Sequence, residues 1–235
     1  MEAIVLAGGF GTRLRSVVAD VPKPMAPIAG RPFLEILLRS LSRKGFKSVV
    51  FSIGYMGEKI KDHFGDSFAG MRLNYVTEKA PLGTGGAIRL AMEACATDGP
   101  IFVFNGDTFL DIEAQEAADF WRRDRTPVII AHHVEDASRF GRLGVQDGRI
   151  VAFIEKGEAV PGWINAGVYL FDRGILDCFQ SGERFSIEHD FLAPFALELR
   201  PRVFETDGLF IDIGVPEEYQ RAQAIFLNRF SESDA

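Results

Sequence analysis

A glycine-rich loop near the start of the chain could bind a phosphate group. The segment Gly8-Gly9-Phe10-Gly11-Thr12-Arg13 follows a short apolar run. Glycines let backbone N–H groups approach phosphate oxygens, a threonine adds a hydroxyl donor, and the planar guanidinium of Arg13 can clamp a phosphate. The loop lacks the GK[ST] ending of a P-loop, and Leu14 stands where a dinucleotide fingerprint needs its third glycine. A simple tight turn is the alternative, but Arg13 directly behind the glycines favours phosphate.

Lys23 is a second candidate for phosphate binding because it lies between Pro22 and Pro24. Prolines restrict their own φ angle and bias the preceding residue towards extended conformations. We therefore expect a stiff, extended segment that holds the ammonium group in one place. An ordinary surface lysine in a loop is the alternative.

Asp107 is the first candidate metal ligand, since it follows the apolar run Ile101–Phe104 through Asn105 and Gly106. Ligands of α/β proteins lie at the carboxyl ends of strands, and carboxylates suit the hard ion Mg²⁺. A turn or helix-capping role is the alternative for this aspartate. The histidines lie in no recognisable catalytic or metal motif and are interpreted as structural or surface residues: His63, His132, His133 and His189.

Alternating strands and helices must position these side chains. Short apolar runs predict strands, and 3.6-residue periodicity predicts helices. Strands are expected at 3–7, 48–53, 73–76, 101–104, 128–132, 150–154, 164–171 and, as two short strands, within 203–213. Helices are expected at 32–44, 56–64, 87–96, 188–199 and from Pro216 onward. The pattern favours an α/β fold, one Rossmann-like doubly wound domain with a mostly parallel mixed sheet. We expect a single domain over 1–235, with a regular first half at about 1–110 and a less regular second half at about 111–230.

The bulk properties exclude several classes of protein. The chain has 235 residues with a formal net charge of −7, which argues against nucleic acid as the main partner. It shows no secretory signal and no apolar run of about 18 residues, so no membrane association is expected. The two cysteines form no CxxC pair, which is typical of a reducing compartment. We expect a cytoplasmic protein, and the sequence leaves open whether it forms a homo-oligomer.

The motifs together resemble those of the sugar-1-phosphate nucleotidyltransferases, whose catalytic domain is GT-A-like. The resemblance covers residues 6 to 219 and rests on six motifs in the right order. They are Gly8–Leu14 with Pro22-Lys23, Pro81–Ala87, Asn105-Gly106-Asp107, Phe153–Lys156, Asn165-Ala166-Gly167 and Asp212–Glu217. The last motif departs from the commonest family pattern at Phe210 and Val215 but keeps its aspartate.

The resemblance implies an enzyme that joins a nucleoside triphosphate to a sugar 1-phosphate and releases pyrophosphate. It implies that Arg13, Lys23, Asp107 and Asp212 are catalytic, and that the two aspartates hold Mg²⁺ as the cofactor. The implied nucleotide-binding residues are Leu6, Ala7, Gly8, Gly9, Gly11, Thr12, Arg13, Glu78, Gly83 and Thr84. The implied sugar-phosphate-binding residues are Glu155, Lys156, Asn165 and Gly167.

Within the family, the motifs are most similar to the branch that uses GTP and D-glycero-α-D-manno-heptose 1-phosphate to make GDP-heptose, a precursor of cell-surface polysaccharide. Guanylyl transfer to mannose 1-phosphate is an alternative, as is uridylyl or thymidylyl transfer to N-acetylmuramate or glucose 1-phosphate. An NAD-dependent oxidoreductase is disfavoured by the missing third glycine. A non-catalytic sensor is disfavoured because the implied catalytic residues are all retained.

Overall fold

The computed structural model describes residues 1–9, 14, 18 and 20–233, with side chains described as far as residue 230. The strands are β1 (Glu2–Ala7), β2 (Pro27–Ile28), β3 (Arg31–Pro32), β4 (Ser48–Ile53), β5 (Ser67–Phe68), β6 (Met71–Thr77), β7 (Ile101–Asn105), β8 (Thr108–Leu110), β9 (Val128–Val134), β10 (Arg142–Gln146), β11 (Arg149–Ile154), β12 (Gly162–Phe171), β13 (Arg202–Thr206) and β14 (Phe210–Asp212). The α-helices are α1 (Phe33–Arg43), α2 (Gly57–Phe64), α3 (Gly83–Met92), α4 (Ala114–Arg122), α5 (Ala196–Leu199) and α6 (Pro216–Ser233). A 3₁₀ turn covers Lys23–Met25, and a π-helical turn covers Ile187–Leu192.

One sheet runs through both halves of the chain. Its described strands follow the order β10-β11-β13-β9-β12-β7-β1-β4-β6-β5. The four neighbours β7, β1, β4 and β6 pair in parallel, as do β9 and β13. The strands of the second half otherwise pair antiparallel, and β12 joins them to β7. The predicted α/β fold with a mixed sheet is confirmed, although the parallel share is smaller than predicted because β12 returns antiparallel to both of its main neighbours.

Helices cover both faces of the sheet, as a doubly wound fold requires. Along β1, Ala3 and Val5 pack on the side of α1, α2 and α4, whereas Ile4 packs on the side of α3 and the π-helical turn. Since side chains alternate along a strand, β1 is apolar on both faces from Ala3 onward, and it is buried except at Leu6, which is half-buried. A smaller cluster packs α6 against β8 and β14, and this packing fixes the far end of the chain beside the sheet.

The prediction of one continuous helix at 188–199 is wrong, because the structure has two separate helical pieces there. The segment forms the π-helical turn and then the short α5, with Ala193 N–H donating to Glu188 O at 2.8 Å. Pro194 separates the two pieces because proline has no N–H and cannot continue a helical ladder. The proline was visible in the sequence and is a sufficient reason for the break.

Several elements were missed, and two of them, helix α4 and strand β10, carried a signal. Helix α4 buries Ala114, Ala117, Ala118 and Trp121, an i, i+3, i+4, i+7 pattern. Strands β10 and β11 form a hairpin through Asp147 and Gly148, which have φ angles of 52° and 71°. Asp-Gly is a preferred pair for such two-residue hairpin turns.

Glu2 is a buried carboxylate that ties the start of the sheet to the loop after α3. Its oxygens accept hydrogen bonds from Ser48 Oγ at 2.9 Å, Ala96 N at 2.8 Å and Thr97 N at 3.0 Å. In Glu2→Gln, the amide oxygen can still accept from the two backbone N–H groups and the amide nitrogen can donate to Ser48 Oγ, but the hydrogen bonds lose their charge assistance. We therefore expect the free energy of unfolding to fall by about 1 kcal/mol. Urea denaturation followed by circular dichroism measures this loss.

The exposed Glu93, which lies 3.4 Å from Arg89, supplies the matched control. Glu93→Gln should change the free energy of unfolding by less than about 0.5 kcal/mol, since exposed ion pairs contribute little. Equal stabilities for the two variants would show that the carboxylate of Glu2 is not required for stability.

Within the described part of the chain, no helix has both the length and the apolar composition to cross a bilayer. Both cysteines are free thiols, Cys95 buried and Cys178 exposed. Burial, with a smaller contribution from Glu2, raises the pKa of Cys95 to about 12. Its thiol is therefore protonated and unreactive near neutral pH.

Candidate active site

A two-stranded sheet brings Asp107 and Asp212 together. Asp107 lies in the turn between β7 and β8, and Asp212 is the last residue of β14. Strands β8 and β14 pair antiparallel with Asp212 opposite Thr108. Ile213 N–H also donates to Asp107 O at 3.1 Å. Two carboxylates separated by about a hundred residues of sequence thus face the same cleft.

The ammonium group of Lys23 contacts both carboxylates. It forms an ion pair with Asp107 and lies 4.0 Å from Asp212 Oδ1. Lys23 begins a 3₁₀ turn, closed by Met25 N–H to Pro22 O at 2.7 Å, so the expected extended segment is corrected to a tight turn after Pro22. The turn points a largely buried lysine, 14% exposed, at the two acids.

Asp212 is the more perturbed member of this cluster. Burial and the charge of Asp107 raise the pKa of Asp212, against opposing effects from Lys23 and from the Gly214 N–H, which donates to Oδ1 at 2.8 Å. Arg139 lies 3.8 Å from the other oxygen of Asp212. Because the pKa of Asp212 is raised despite both cations, Lys23 and Arg139 offset the negative charge of the two acids only in part, which favours binding of a further cation.

The donor set suits Mg²⁺ shared with a substrate. Mg²⁺ is commonly held by one or two carboxylates together with water and phosphate oxygens. Among the described residues, no group of three or more His, Cys, Asp or Glu side chains could enclose a metal ion. Asp107 and Asp212 alone would leave most coordination positions for phosphate oxygens and water.

The cleft above these acids has a volume of about 550 Å³. Residues from the end of β1, from the loop before α3 and from α3 itself line one side of it. These include the predicted nucleotide-binding residues Leu6, Ala7, Gly8, Gly9, Glu78, Gly83 and Thr84. Glu78 accepts hydrogen bonds from Ser52 Oγ at 3.0 Å and from Leu82 N at 3.1 Å, so its carboxylate is held at the cleft wall.

The glycines before and in α3 permit a close approach of two chain segments. Gly83 has a φ of 72°, and a Cβ added to it would meet Phe185 O; a Cβ on Gly86 would meet Glu183 O. Thr84 Oγ1 accepts a hydrogen bond from Ile187 N at 3.0 Å. The Pro81–Ala87 motif thus anchors the π-helical turn as well as lining the cleft.

The opposite side of the cleft is lined by Lys156, Asn165 and Gly167. Gly167 has a φ of 71°, and any Cβ there would collide with the side chain of Asn105. Glu155, also predicted to bind the sugar phosphate, is exposed at the end of β11 and is not among the described residues that line the cleft.

Comparison with protein families shows the family to which this chain belongs. A family model described as "Nucleotidyl transferase" matches residues 2–228. The chain belongs to the nucleotidyl transferase family. The sequence motifs had indicated this family, and the match extends over nearly the whole chain.

Individual members of the family are also similar. The chain is 40% identical over 224 residues to a D-glycero-alpha-D-manno-heptose 1-phosphate guanylyltransferase of Aneurinibacillus thermoaerophilus, covering 95% of this chain and 97% of the relative. It is 34% identical to a mannose-1-phosphate guanylyltransferase of Mycobacterium tuberculosis, covering 100% of this chain and 67% of the relative. The crystal structure of HddC from Yersinia pseudotuberculosis complexed with GMP-PN superposes with a TM-score of 0.85 at 34% identity, covering 96% of this chain and 99% of that one.

Three predicted residues of this nucleotidyl transferase, Gly11, Thr12 and Arg13, lie outside the described residues. Sequence reasoning missed Glu188, which lines the cleft from the π-helical turn, and Arg139 beside Asp212. Neither lies in one of the six motifs, and the predicted ordinary helix concealed the orientation of Glu188. The histidines are not among the described residues that line the cleft; His132, for example, stacks on Phe210 and lies 3.0 Å from Thr206 O.

Proposed function

We propose that this protein transfers a guanylyl group from GTP to D-glycero-α-D-manno-heptose 1-phosphate, giving GDP-heptose and pyrophosphate. The observation that carries the proposal is the cluster of Lys23, Asp107 and Asp212 at the floor of a cleft large enough for both substrates. Similarity to heptose 1-phosphate guanylyltransferases over 95% of the chain supports the choice of substrates.

The reaction needs positioning more than proton transfer. A phosphate oxygen of the sugar 1-phosphate forms a bond to the α-phosphorus of GTP, and the bond from that phosphorus to the bridging oxygen of pyrophosphate breaks. The nucleophile is already anionic near pH 7, because the second pKa of a phosphate monoester is about 6. Histidine bases are therefore not required, and the protein must chiefly bring two polyanions together and stabilise their charge.

In the proposed reaction, different side chains bind the nucleotide, the sugar phosphate and the metal ion. Lys23 contacts phosphate oxygens of the nucleotide at the reacting end, and the predicted role of Arg13 in clamping the triphosphate belongs to the same end. Lys156 holds the phosphate of the sugar 1-phosphate. Asp107 and Asp212 would hold Mg²⁺, which would neutralise charge on the transferring phosphate group. The nucleotide-binding half about 1–110 and the sugar-phosphate-binding half about 111–230 act as one catalytic domain.

The carboxylate of Glu78 supports the proposal that the site binds guanine in preference to a pyrimidine base. Each of its carboxylate oxygens accepts one hydrogen bond from the protein and retains lone pairs for another donor. Guanine presents two adjacent donors, N1–H and N2–H, whereas uracil and thymine present a single N–H between carbonyl oxygens. An acceptor-only carboxylate therefore matches guanine and meets two unfavourable carbonyls in a pyrimidine.

Pyrophosphate release in Mg²⁺ buffer tests the proposal. GTP, ATP, UTP, dTTP and CTP are each paired with the 1-phosphates of manno-heptose, mannose, glucose and N-acetylmuramate. We expect the highest kcat/KM for GTP with the heptose, and a GTP preference over UTP that falls at least about 10-fold in Glu78→Gln, which replaces one acceptor by a donor. A wild-type preference for UTP or dTTP would contradict guanylyl transfer.

Lys156→Ala should mainly weaken binding of the sugar 1-phosphate. We expect its KM to rise about 10-fold or more, since a charge-assisted contact with phosphate contributes about 1.5–3 kcal/mol. The KM for GTP should stay within twofold, as should both constants in Lys61→Ala, which removes an exposed lysine of α2. An unchanged sugar-phosphate KM in Lys156→Ala would remove this lysine from the acceptor site.

Mannose 1-phosphate is the second candidate acceptor, because the relative from Mycobacterium tuberculosis is similar over the whole of this chain. The same panel distinguishes the two acceptors by their kcat/KM values with GTP.

We also propose a cytoplasmic location, which the two free thiols support.

A further inference from the structure

A buried polar network lies at the acceptor side of the cleft. It joins Asn165 and Tyr169 of β12 to Glu188 of the π-helical turn. Asn165 Nδ2 donates to Glu188 Oε1 at 2.7 Å and to Tyr169 Oη at 2.9 Å. Tyr169 Oη donates to the same Glu188 Oε1 at 3.0 Å. Two side chains from one strand thus hold one oxygen of a carboxylate.

The amide of Asn165 is committed to this network. Its Oδ1 accepts a hydrogen bond from Gly167 N at 3.0 Å, which fixes the orientation of the amide. Both Nδ2 hydrogens are then used on Tyr169 and Glu188. Asn165 cannot donate to a sugar hydroxyl without breaking one of these bonds, so the direct sugar contact expected from the sequence is limited to the remaining lone pair of Oδ1.

Tyr169 is suited to act as a permanent donor. Its side chain is 2% exposed, and burial together with the charge of Glu188 raises its pKa well above the usual value. The phenol therefore stays protonated at working pH. Its hydroxyl and the Asn165 amide orient the carboxylate of Glu188 in the same way over the whole neutral range.

The second oxygen of Glu188 has no hydrogen-bond partner among the described residues, although Glu188 lines the cleft. The rest of the turn is tied down: Thr84 Oγ1 accepts from Ile187 N at 3.0 Å, and Ser186 N donates to Asp190 Oδ2 at 2.7 Å. A carboxylate oxygen that is held in place at a cleft wall without a protein partner can accept a hydrogen bond from a ligand hydroxyl.

We infer that Glu188 binds a hydroxyl group of the sugar through this second oxygen, and that Asn165 and Tyr169 are positioning residues for it. The inference rests on the proposed function and adds to it a specificity-determining residue on the acceptor. The ligand class is a polyhydroxylated sugar 1-phosphate, in which a hydroxyl donates to the carboxylate while Lys156 meets the phosphate.

The test compares Glu188→Gln with wild type in the pyrophosphate-release assay with GTP and the accepted sugar 1-phosphate. Glutamine keeps the volume but replaces one acceptor oxygen by a donor. We expect the KM for the sugar 1-phosphate to rise about 10-fold and the KM for GTP to stay within twofold. Glu198→Gln, an exposed change on the neighbouring α5, is the matched control and should leave both constants unchanged.

Mono-deoxy derivatives of the sugar 1-phosphate distinguish a direct contact from a structural effect. The penalty of Glu188→Gln should disappear for the one derivative that lacks the bound hydroxyl and persist for the others. Tyr169→Phe should show the same pattern with a smaller penalty, because it removes one of the two bonds that orient Glu188. An equal penalty for every derivative, or an unchanged sugar-phosphate KM, would overturn the inference.

Failure of the proposed function gives a different result. Wild-type protein would then prefer another nucleotide to GTP or release no pyrophosphate with any pair of substrates, and the inference would fall with the proposed function. Wild-type turnover together with an unaffected Glu188→Gln variant would overturn the role of Glu188 alone.

Discussion

Asp212→Asn is expected to lower kcat at least about 100-fold, equivalent to roughly 2.7 kcal/mol of transition-state stabilisation. In the proposed reaction, Asp212 and Asp107 hold the cation that neutralises the transferring phosphate group. Asparagine keeps the shape of the side chain and can still accept the Gly214 N–H bond of 2.8 Å. The variant therefore removes the charge with little change in packing. Pyrophosphate release at saturating substrates measures the loss.

The same variant should be at least as stable as wild type in Mg²⁺-free buffer. Burial and the charge of Asp107 raise the pKa of Asp212 above its unfolded value. When the pKa of an acid is raised in the folded state, the protein loses stability as pH increases through the titration, because ionisation of the acid is harder in the folded protein. At pH 8 the asparagine avoids that cost. Thermal unfolding with EDTA should give an equal or higher Tm.

Asp207→Asn is the matched control, because Asp207 is exposed in the connection between β13 and β14. Its turnover should stay within twofold of wild type, and its Tm should be unchanged. A turnover near that of wild type for Asp212→Asn at saturating Mg²⁺ would exclude Asp212 from the proposed metal site. A marked fall in Tm would show that the charge stabilises the fold instead.

The sequence was informative where one local pattern determines one element. Strand β4 was predicted with its observed bounds because the run from Ser48 to Ile53 is rich in β-branched and apolar residues, and the structure shows all six residues buried. Helix α6 begins at Pro216 as expected, since proline at the first position and acids in the first turn both favour a helix start. Such signals need no knowledge of the rest of the fold.

Contacts between distant segments could not be predicted in this way. Pairing of β8 with β14 sets Asp212 beside Asp107. A short strand was expected near β14, but β8 is too short to stand out from its neighbours, so the partner of β14 could not be identified. The role of Glu188 depends on a π-helical turn and on hydrogen bonds to β12, 23 residues earlier in the case of Asn165. Motif resemblance supplied the list of residues, but only the fold shows which of them already have partners.

Lys23→Met is expected to have the second large effect, a fall in kcat of about two orders of magnitude. Lys23 is the cation that contacts both candidate metal ligands, through an ion pair with Asp107 and a separation of 4.0 Å from Asp212. In the proposed reaction its ammonium group contacts the phosphate oxygens of the nucleotide, while Asp107 and Asp212 would hold the metal ion. Methionine fills a similar volume without charge, so the loss reports the charge itself.

The stability of this variant should depend on Mg²⁺ more than that of wild type. Without Lys23 the two partly buried carboxylates, 33% and 25% exposed, have lost their main counter-charge and repel each other, which destabilises the fold. We expect a lower Tm than wild type in EDTA and a larger increase in Tm on adding Mg²⁺. Differential scanning calorimetry with and without Mg²⁺, in the absence of nucleotide, measures both changes.

Two further variants separate loss of the charge at Lys23 from loss of its ammonium geometry and from a general effect of removing a lysine. They are Lys23→Arg and Lys61→Met. Lys23→Arg keeps the charge and should restore much of the Tm in EDTA, while turnover stays low because a planar guanidinium does not replace a compact ammonium at the same place. Lys61→Met, at an exposed position on α2, should leave both properties unchanged. If Lys23→Met and wild type gained the same Tm on adding Mg²⁺, the ammonium and the metal ion would not be competing for Asp107 and Asp212. The metal site would then have to be sought elsewhere in the cleft.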